Sequence, residues 1–445
     1  MNSTLPAHEP ARPLSGELAE AIGDGRVAEV EVAWPDHSGH VLGKRIPASR
    51  FAARAAGPGF PFCGAALAWN TAGDVEPDVG SYGAGAGFPD LFAVPDPATA
   101  RQLPWRPAAW QVLADVVDHH RHRVATSPRT VLQGVIERLG GLGYTAQVGV
   151  ELECYVLRPD GTFLQDGIHA YSLEKSNELD PLLSAVAELG DYVPVEGILT
   201  EYGPGQVEVN LAHADALTAA DDAFRLRYAI KELARRHGLL ATFMAKPFTG
   251  HSGSSCHVHV SLWQQGRPLF APAGGGESPL ARQAIGGLLS HLPAVTLFGG
   301  PTVNSYKRFV PDAFAPVTVT WGGDNRTAAV RSLLETPESS RIELRTGAAD
   351  ANPYWLVAAI LAAVVSGLES AAEPARRGDG DLSGRAEPLP ATLAEALAAT
   401  RQDKVLADIL GPESVHDFAA LAESEWRKFA RQVTSWETDR YLRRA

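Results

Sequence analysis

Cysteines and long apolar runs are scarce in this 445-residue chain, and each shortage excludes a class of protein. The three cysteines, Cys63, Cys154 and Cys256, are too few and too scattered for a disulfide framework or a thiolate metal site, so we expect a reducing, cytoplasmic setting. The longest apolar stretch, residues 354–368, falls short of the roughly 20 residues that a membrane span needs. It is typical of a buried helix capped by Asn352.

Positive charge is also in short supply. Lys and Arg number 39 against 52 Asp and Glu, which gives a net charge of -13 and a pI near 5.5. Because nucleic-acid binding depends on basic surface, this balance argues against a nucleic-acid partner. The first residues have neither a basic start nor a signal-peptide apolar core, so residues 1–14 are predicted to be a flexible tail. No Walker A or dinucleotide fingerprint occurs, so a nucleotide would have to be bound in another way.

The remaining sequence indicates a folded α+β protein. With 45% hydrophobic and 20% charged residues, the chain has the balance of a globular protein with a sizeable core. Residues 26–46 predict two short strands around an Asp-His-Ser-Gly turn, and hence a small β-rich N-terminal domain over residues 15–118. From residue 119 helices and strands alternate, which predicts a larger domain over residues 119–445. The finer predictions are ordered loops at 57–107, helices at 128–142, 216–237 and much of 393–442, and a mobile connector at 371–390.

Four short segments alternate between apolar and polar residues, so each predicts a strand with one polar face. They read "VGVELECYVL", "GQVEVN", "SSCHVHVSL" and "RIELR". Each segment alone is compatible with a sheet face exposed to water. Side by side, however, they would concentrate carboxylates and imidazoles on one surface, with one more glutamate just before the second segment. These polar residues are Glu151, Glu153, Glu201, Glu208, His257, His259, Ser261, Arg341, Glu343 and Arg345.

Such a collection of like charges predicts a metal site. Neighbouring carboxylates raise the cost of each other's ionisation unless cations lie among them. Five glutamates with one or two histidines and no thiolate suit Mg²⁺ or Mn²⁺ better than Zn²⁺. We therefore expect two divalent ions on this surface.

Five arginines lie in a span of fewer than forty residues, and their number suggests phosphoryl transfer. Arg308, Arg326 and Arg331 come shortly before Arg341 and Arg345. They are also compatible with a set of surface arginines. Metals and arginines together are what phosphoryl transfer requires, because negative charge spreads over the transferred group.

At these residues the chain resembles the glutamine synthetase family of class I type. The resemblance is carried by "VELECYVL", "EYGPGQVEVNLAHAD", "HGLLATFMAKPFTGHSGSSCHVHVSL", "NSYKRFVP", "DNRTAAVR" and "RIELRTGAADANPY", in family order and spacing, over nearly the whole chain. It implies a β-grasp N-terminal domain, a catalytic domain whose antiparallel strands form an open barrel flanked by helices, and a homo-dodecamer of two stacked hexamers with sites between subunits. The cofactors it implies are ATP and two or more Mg²⁺ or Mn²⁺ ions.

Position by position, the resemblance also implies roles for the polar residues. One metal would be held by Glu153, Glu201 and Glu208, and the other by Glu151, His257 and Glu343. His259 would face the nucleotide phosphates and Ser261 the adenine. The carboxylates of glutamate would meet Arg308 and Arg345, the phosphates Arg326, Arg331 and Arg341, and the amino acid the loop residue Gly253. The implied reaction is attack of the glutamate γ-carboxylate on ATP, followed by capture of the acyl phosphate by an amine.

The sequence departs from the family pattern where the amine would bind. Phe314 stands in a flap at the position of a glutamate that helps to take a proton from ammonium, and phenylalanine has no acid-base chemistry. Its ring offers apolar surface and a face for an amine cation, while Asp312 could partly replace the base. Asn70 or Thr71 falls near the family's ammonium-binding aspartate.

Two further departures concern the loop before the histidines and regulation. Ser255 replaces a usual glycine in that loop. Residues 371–397 contain no tyrosine, so the adenylylation known in part of the family has no acceptor there.

Three functions remain open at this point. The favoured prediction is a ligase that joins glutamate to an organic primary amine. The alternatives are ordinary glutamine synthesis with a replaced base, and a structural or regulatory relative without catalysis. Retention of all six metal ligands argues against the last.

Overall fold

The computed structural model describes residues 16–55, 57–77, 79–80, 82–271, 275–310, 315–384 and 386–444. The predicted tail at 1–14 and the two flap positions, Asp312 and Phe314, lie outside these residues. The described chain forms two β-sheets, each with its own apolar core.

The first sheet is built by the N-terminal part of the chain. Its strands run in the order β2-β1-β6-β4-β3, and β5 pairs with β6. β1 and β2 are antiparallel, with Glu29 opposite Pro47, so the predicted hairpin is confirmed. Helices α1 (Glu17–Gly23) and α2 (Ala48–Arg54) bury Leu18 and Phe51 in the core of this sheet. The strands are β1 (Glu29–Pro35), β2 (Val41–Pro47), β3 (Phe60–Cys63), β4 (Asp90–Pro95), β5 (Arg101–Leu103) and β6 (Arg106–Val117).

The second sheet contains the four predicted polar-faced segments. Its main order is β14-β15-β16-β12-β7-β9-β8, with β10 and β11 paired to β7 and β13 to β12. All of these pairs are antiparallel except β14 with β15. The strands are β7 (Thr145–Leu157), β8 (Val195–Thr200), β9 (Gln206–Leu211), β10 (Ala214–Asp215), β11 (Leu240–Thr242), β12 (Cys256–Gln264), β13 (Arg267–Pro268), β14 (Trp321–Gly322), β15 (Val330–Leu333) and β16 (Arg341–Leu344).

Helices cover the apolar face of the second sheet. The predicted helices are present with slightly different ends. The Ser127 hydroxyl does not cap the helix α3 (Pro128–Gly141). The helix α6 (Ala216–Arg236) ends before Gly238, which has a φ of 69°. The C-terminal helical region divides into four helices. The helices after α2 are α3 (Pro128–Gly141), α4 (Leu173–Asn177), α5 (Leu182–Ala187), α6 (Ala216–Arg236), α7 (Pro279–Gly299), α8 (Pro353–Glu369), α9 (Leu393–Gln402), α10 (Lys404–Leu410), α11 (Pro412–Ala430) and α12 (Ser435–Tyr441).

The apolar helix α8 is the centre of the helical layer. The side chain of Asn352 accepts a hydrogen bond from the amide of Tyr354 at 3.0 Å, as its sequence position predicted. Residues 353–367 are buried throughout, because α8 packs against α3, α6, α7 and α10. No described helix combines the length and the apolar character needed to cross a bilayer.

The predicted connector at 371–390 has no regular helix in its described residues, and its mobility stays a prediction. Its backbone is hydrogen-bonded to the segment before β15: Gly378 N donates to Trp321 O at 2.9 Å and Leu389 N to Val317 O at 2.9 Å. Its glycines and prolines disfavour regular structure but leave backbone groups that bind a neighbouring loop. The antiparallel sheet agrees with the predicted α+β class, whereas the β-grasp comparison, closure into an open barrel and the boundary at residue 118 stay predictions.

Candidate active site

The polar faces of four strands meet because β16, β12, β7 and β9 are neighbours in the second sheet. Their register places His257 opposite Glu151 and His259 opposite Glu343. It also places Glu153 opposite Glu208. The opposite faces hold Val150, Leu152, Val258 and Ile342, which are buried in the core. The alternation seen in the sequence therefore produces one continuous polar surface.

This surface is the floor of a cavity of about 470 Å³. Most of the predicted site residues line it, although they come from segments up to about 190 residues apart in the chain. Glu343 does not line it, because its side chain is fully buried beneath Arg331 and Arg345. The predicted residues that line the cavity are Glu151, Glu153, Glu201, Glu208, Gly253, His257, His259, Arg308, Arg326, Arg331, Arg341 and Arg345.

Carboxylate and imidazole groups in the cavity form three clusters that fit divalent cations. In each, donor atoms lie within 4.8 Å of one another. One consists of Glu153, Glu201 and Glu208, the first predicted ligand set. The predicted second set is divided: His257 clusters with Glu151 and Glu208, while Glu343 clusters with Glu151 and His259. His257 Nδ1 is nevertheless only 3.8 Å from Glu343 Oε1. Oxygen and imidazole donors of this kind suit Mg²⁺ or Mn²⁺.

Protonation of these glutamates reflects their crowding. Burial, reinforced by the charge of Glu153, raises the pKa of Glu201 to about 7. Burial and the charge of Glu151 raise the pKa of Glu208 to about 8. Burial also opposes ionisation of Glu151, but hydrogen bonds to His257 and His259 outweigh it and hold the Glu151 pKa well below its usual range. The cluster therefore holds protons that a bound cation would displace.

A second cavity, of about 610 Å³, adjoins the first. Glu151, His259 and Arg341 line both of them, whereas Ser261 lines only the second. Arg341 Nε lies 3.2 Å from His259 Nδ1, and Trp263 Nε1 donates to the Ser261 hydroxyl at 2.9 Å. The residues predicted to bind the phosphates and the adenine therefore lie one after another along a path that leads from the first cavity into the second.

On another side of the first cavity, Arg308 is held over Gly253. A Cβ atom at Gly253 would lie 2.4 Å from Arg308 Cγ and 2.8 Å from the Ala245 carbonyl oxygen, so only glycine fits. Arg308 Nη2 donates to the Ser255 hydroxyl at 3.0 Å. The unusual serine of this loop therefore orients the arginine predicted to meet glutamate.

Gln206 is a site residue to which the sequence analysis gave no role. Its side-chain nitrogen donates to Glu153 Oε2 at 2.8 Å and to the carbonyl oxygen of Gly253 at 3.0 Å. Its side-chain oxygen accepts from Gly203 N at 2.9 Å. Gln206 therefore connects a predicted metal ligand to the predicted glutamate loop. Its position two residues before Glu208 was the available signal.

Asp324 and the aromatic mouth of the cavity were also missed. Asp324 pairs with Arg331, whose other nitrogen meets Glu343 at 2.5 Å. Tyr171 and Tyr202 line the cavity and remain exposed, and Tyr171 has a φ of 62°, which is rare for a residue with a Cβ. Backbone N–H of Tyr171 donates to Thr200 O at 2.9 Å, which fixes this conformation.

The predicted ammonium region, Asn70 and Thr71, does not reach the first cavity within one chain. Both line a separate, smaller cavity beside His37. The Asn70 amide donates to Glu76 at 2.6 Å, and Glu76 also binds Lys428 of α11 at 2.7 Å. These contacts hold the loop against the C-terminal helices.

Comparison with known proteins identifies the family of the chain. Residues 125–441 match the family model described as glutamine synthetase, catalytic domain. The chain is 33% identical to "Type-1 glutamine synthetase 2" of Dictyostelium discoideum, over 93% of this chain and 83% of the relative. It is also 33% identical to "Gamma-glutamylethanolamide synthetase GlnA4" of Streptomyces coelicolor, over 99% of this chain and 98% of the relative. A solved structure described as "Apo GmaS without ligand" superposes with a TM-score of 0.86 at 34% identity, covering 96% and 99% of the two chains. The chain therefore belongs to the glutamine synthetase family.

Proposed function

We propose that this protein is an ATP- and Mg²⁺-dependent ligase that joins the γ-carboxylate of glutamate to an organic primary amine through a γ-glutamyl phosphate. The observation that carries the proposal is the convergence of glutamates, histidines and arginines in one cavity. Metal-ligating and phosphate-binding side chains together fit phosphoryl transfer. Membership of the family makes a ligase the reading that needs the fewest further assumptions.

The metal ligands belong to the proposal. Glu153, Glu201 and Glu208 would hold one divalent ion, since their donor atoms already converge. Glu151, His257 and Glu343 would hold the other, which requires Glu343 to turn from Arg331 and Arg345. Bound cations would neutralise phosphate oxygens during transfer.

The arginines have distinct tasks in this mechanism. Arg308, buried and held by Ser255, would bind a carboxylate of glutamate together with Arg345. Arg326 would stabilise the charge that develops on the transferred phosphoryl group, together with Arg331 and Arg341. His259 and Ser261 would line the path of the nucleotide, because that path leads into the second cavity.

The proposal of an organic amine, and not ammonium, as the substrate rests on aromatic residues of the predicted flap and of the cavity mouth. Phe314 replaces the glutamate of the family pattern, and Tyr171 and Tyr202 offer ring surface at the cavity mouth. Aromatic rings stabilise alkyl groups and amine cations. The match to the relative named for a γ-glutamylethanolamide also extends over 98% of its length, against 83% for the relative named glutamine synthetase. Asp312 would be a partial base for the amine.

Glutamine synthesis is the second candidate, because that name is carried by a relative of equal identity. A catalytically inactive relative is less favoured, since a purely structural protein has no need of a clustered set of metal ligands. A dodecamer of stacked hexamers and a cytoplasmic location complete the proposal.

Phosphate release tests these alternatives. We expect ATP- and glutamate-dependent release with Mg²⁺ to respond strongly to one organic amine in a panel and weakly to ammonium. Glu151→Ala and Glu343→Ala should abolish this release while assembly, checked by light scattering, is unchanged. A dominant response to ammonium would favour glutamine synthesis, and no response to any amine would favour the inactive relative.

A further inference from the structure

The loop that carries Arg326 is tied to a distant part of the chain. Residues 371–389, here called the connector, run between α8 and α9 and bind the segment 317–327, here called the arginine segment. Gly378 N donates to Trp321 O at 2.9 Å, and Trp321 Nε1 donates to Ala375 O at 2.7 Å. Val319 N donates to Glu387 O at 2.8 Å. The described part of the connector thus lies along the arginine segment.

The turn just before and after Arg326 has its own bond to the connector. The Asn325 side-chain oxygen accepts from Thr327 N at 3.0 Å and from the Thr327 hydroxyl at 2.8 Å, which closes the turn. Its side-chain nitrogen donates to the carbonyl oxygen of Gly380 at 2.8 Å. Leu382 N in turn donates to the Thr327 hydroxyl at 3.1 Å. Both neighbours of Arg326 are therefore attached to the connector.

Close packing supports the hydrogen bonds. Leu382 is 4% exposed and packs on Gly378, where an added Cβ would lie 2.5 Å from its side chain. Arg377 lies over Gly323, where an added Cβ would come within 2.8 Å of the guanidinium carbon. The side chain of Arg377 is also 3.7 Å from Glu277 Oε1. These contacts lie outside both the first and the second cavity.

The Arg326 side chain has no such support. It is exposed and lines the first cavity, and it has no hydrogen-bond or ion-pair partner within the described part of the chain. Its neighbour Asp324 binds Arg331, which binds Glu343. The backbone of the arginine segment therefore determines where the free guanidinium of Arg326 lies and where Asp324 holds Arg331.

From these contacts we infer that the connector is a positioning element for Arg326: it fixes the backbone of the arginine segment, so that Arg326 meets the phosphoryl group with little rearrangement. The inference rests on the proposed function for the role of Arg326. It predicts that changes in the connector, outside the cavities, reduce turnover through Arg326. A misplacement of about 1 Å is enough to reduce an enzyme's rate about a hundredfold.

Kinetics of connector variants test the inference. Leu382→Ala should lower kcat about tenfold or more and leave the KM of glutamate nearly unchanged, because Arg308 and Gly253 lie on other segments. Arg377→Ala, at an exposed position that does not endanger folding, should lower kcat in the same direction by a smaller factor. The matched control is Arg376→Ala, because Arg376 is exposed and has no partner among the described residues. It should have wild-type kinetics.

A double-mutant cycle distinguishes positioning from general destabilisation. In an Arg326→Ala background, Leu382→Ala should cause no more than about a twofold further loss of kcat. Equal losses in both backgrounds, or unchanged kcat in both connector variants, would overturn the inference.

Hydrogen exchange separates a failure of the inference from a failure of the proposed function. In Leu382→Ala, peptides that cover residues 317–327 should exchange faster than in the wild type, whether or not the protein turns over. If the wild type is inactive with every amine, the proposed function fails, and unchanged exchange would then also overturn the connector's role.

Discussion

At the scale of single residues, the most informative contact is one that joins two parts of the site. Gln206 is 1% exposed and donates both to Glu153 and to the loop of Gly253. Residues that support metal ligands in this way orient them and tune their affinity. One amide group therefore makes the geometry of the predicted metal ligands depend on the loop predicted to bind glutamate.

Replacement of this amide should weaken metal and glutamate binding together. Gln206→Leu preserves most of the volume but removes the two donated hydrogen bonds and the one accepted from Gly203, so we expect the Mn²⁺ affinity to fall about 10- to 100-fold and the KM of glutamate to rise. Calorimetry and initial rates measure the two effects. The control is Gln165→Leu, because Gln165 is also buried but donates to Lys175 O outside the cavity. Loss of only one of the two affinities would contradict the proposed connection.

The raised pKa values of Glu201 and Glu208 predict a pH dependence of stability. In the unfolded chain both groups ionise near pH 4.5, but in the metal-free folded protein they ionise near 7 and 8. The folded state therefore binds more protons over this interval, and the contribution of both groups to stability falls as the pH rises through it. We expect the melting temperature of metal-free protein to fall from about pH 5.5 to about pH 8.5, and Mg²⁺ to raise it most at the alkaline end.

Glu208→Gln provides the control for this titration. It removes one titrating group, so the decline in melting temperature should become shallower over the whole interval and should nearly disappear above about pH 7. A decline as steep as in the wild type would assign the effect to other groups.

Phe314 carries the prediction of an organic amine from the sequence. Phe314→Glu restores the acid-base group of the family pattern and removes apolar surface, so we expect kcat/KM to rise for ammonium and fall for the organic amine. Phe314→Leu is the control, because it keeps apolar surface without a carboxylate. An amine profile that does not change in Phe314→Glu would refute the role given to this residue.

At the scale of secondary-structure elements, a buried ionic cluster joins the first sheet to the helices. Arg129 of α3 is 1% exposed and binds Asp115 of β6, Asp221 of α6 and Asp96. Tyr354 at the start of α8 donates to Asp221 at 2.6 Å. The cluster fixes the N-terminal sheet against the helical layer through charge pairs that water does not screen.

Loss of the arginine should therefore be costly. Arg129→Ala leaves the buried carboxylates without their cation, and we expect the free energy of unfolding to fall by about 3–5 kcal/mol. Urea denaturation measures this change. Arg138→Ala, in the same helix, removes the partially exposed pairs with Glu369 and Asp408 and should cost only about 1 kcal/mol or less. Equal losses in the two variants would show that the buried cluster contributes no special stability.

The strands and long helices could be predicted because their signals are local. The alternation of apolar and polar residues in "VELECYVL" and "HVHVSL" determines which side chains share a face. The helix α8 could be predicted from its capping residue and its apolar run. The conformation of the connector could not be predicted, because it is held by hydrogen bonds to residues about 60 positions earlier in the chain. The Arg129 cluster was missed for the same reason: its partners come from three distant segments.

Three side chains between helices have the arrangement of a catalytic triad, but none of them lines a large cavity among those described. His291 of α7 binds Asp403 at 2.6 Å through Nδ1 and the Ser366 hydroxyl at 2.8 Å through Nε2. All three lie between helices, and no large cavity adjoins Ser366 among those described. The arrangement therefore joins α7, α8 and α10 and is a structural one.

At the scale of the whole molecule, the two sheets contribute differently to the first cavity. The second sheet provides the ligand residues predicted from the sequence, and its register determines which of them meet. The sequence did not reveal that Glu343 lies beneath two arginines, because strand alternation gives the face of a residue and not its depth. Among the described residues, the strands of the N-terminal sheet do not line the first cavity, and Asn70 and Thr71 line another one. An intersubunit site, implied by the family resemblance, would give that sheet a catalytic role.

Isotope transfer shows whether the γ-carboxylate of glutamate attacks ATP. Glutamate labelled with ¹⁸O in its γ-carboxylate is incubated with ATP, Mg²⁺ and the organic amine that gives the strongest phosphate release, and both products are analysed by mass spectrometry. We expect one ¹⁸O atom in the released phosphate and a γ-glutamyl amide of that amine, because the carboxylate oxygen leaves with the phosphoryl group. Release of unlabelled phosphate without an amide would contradict it.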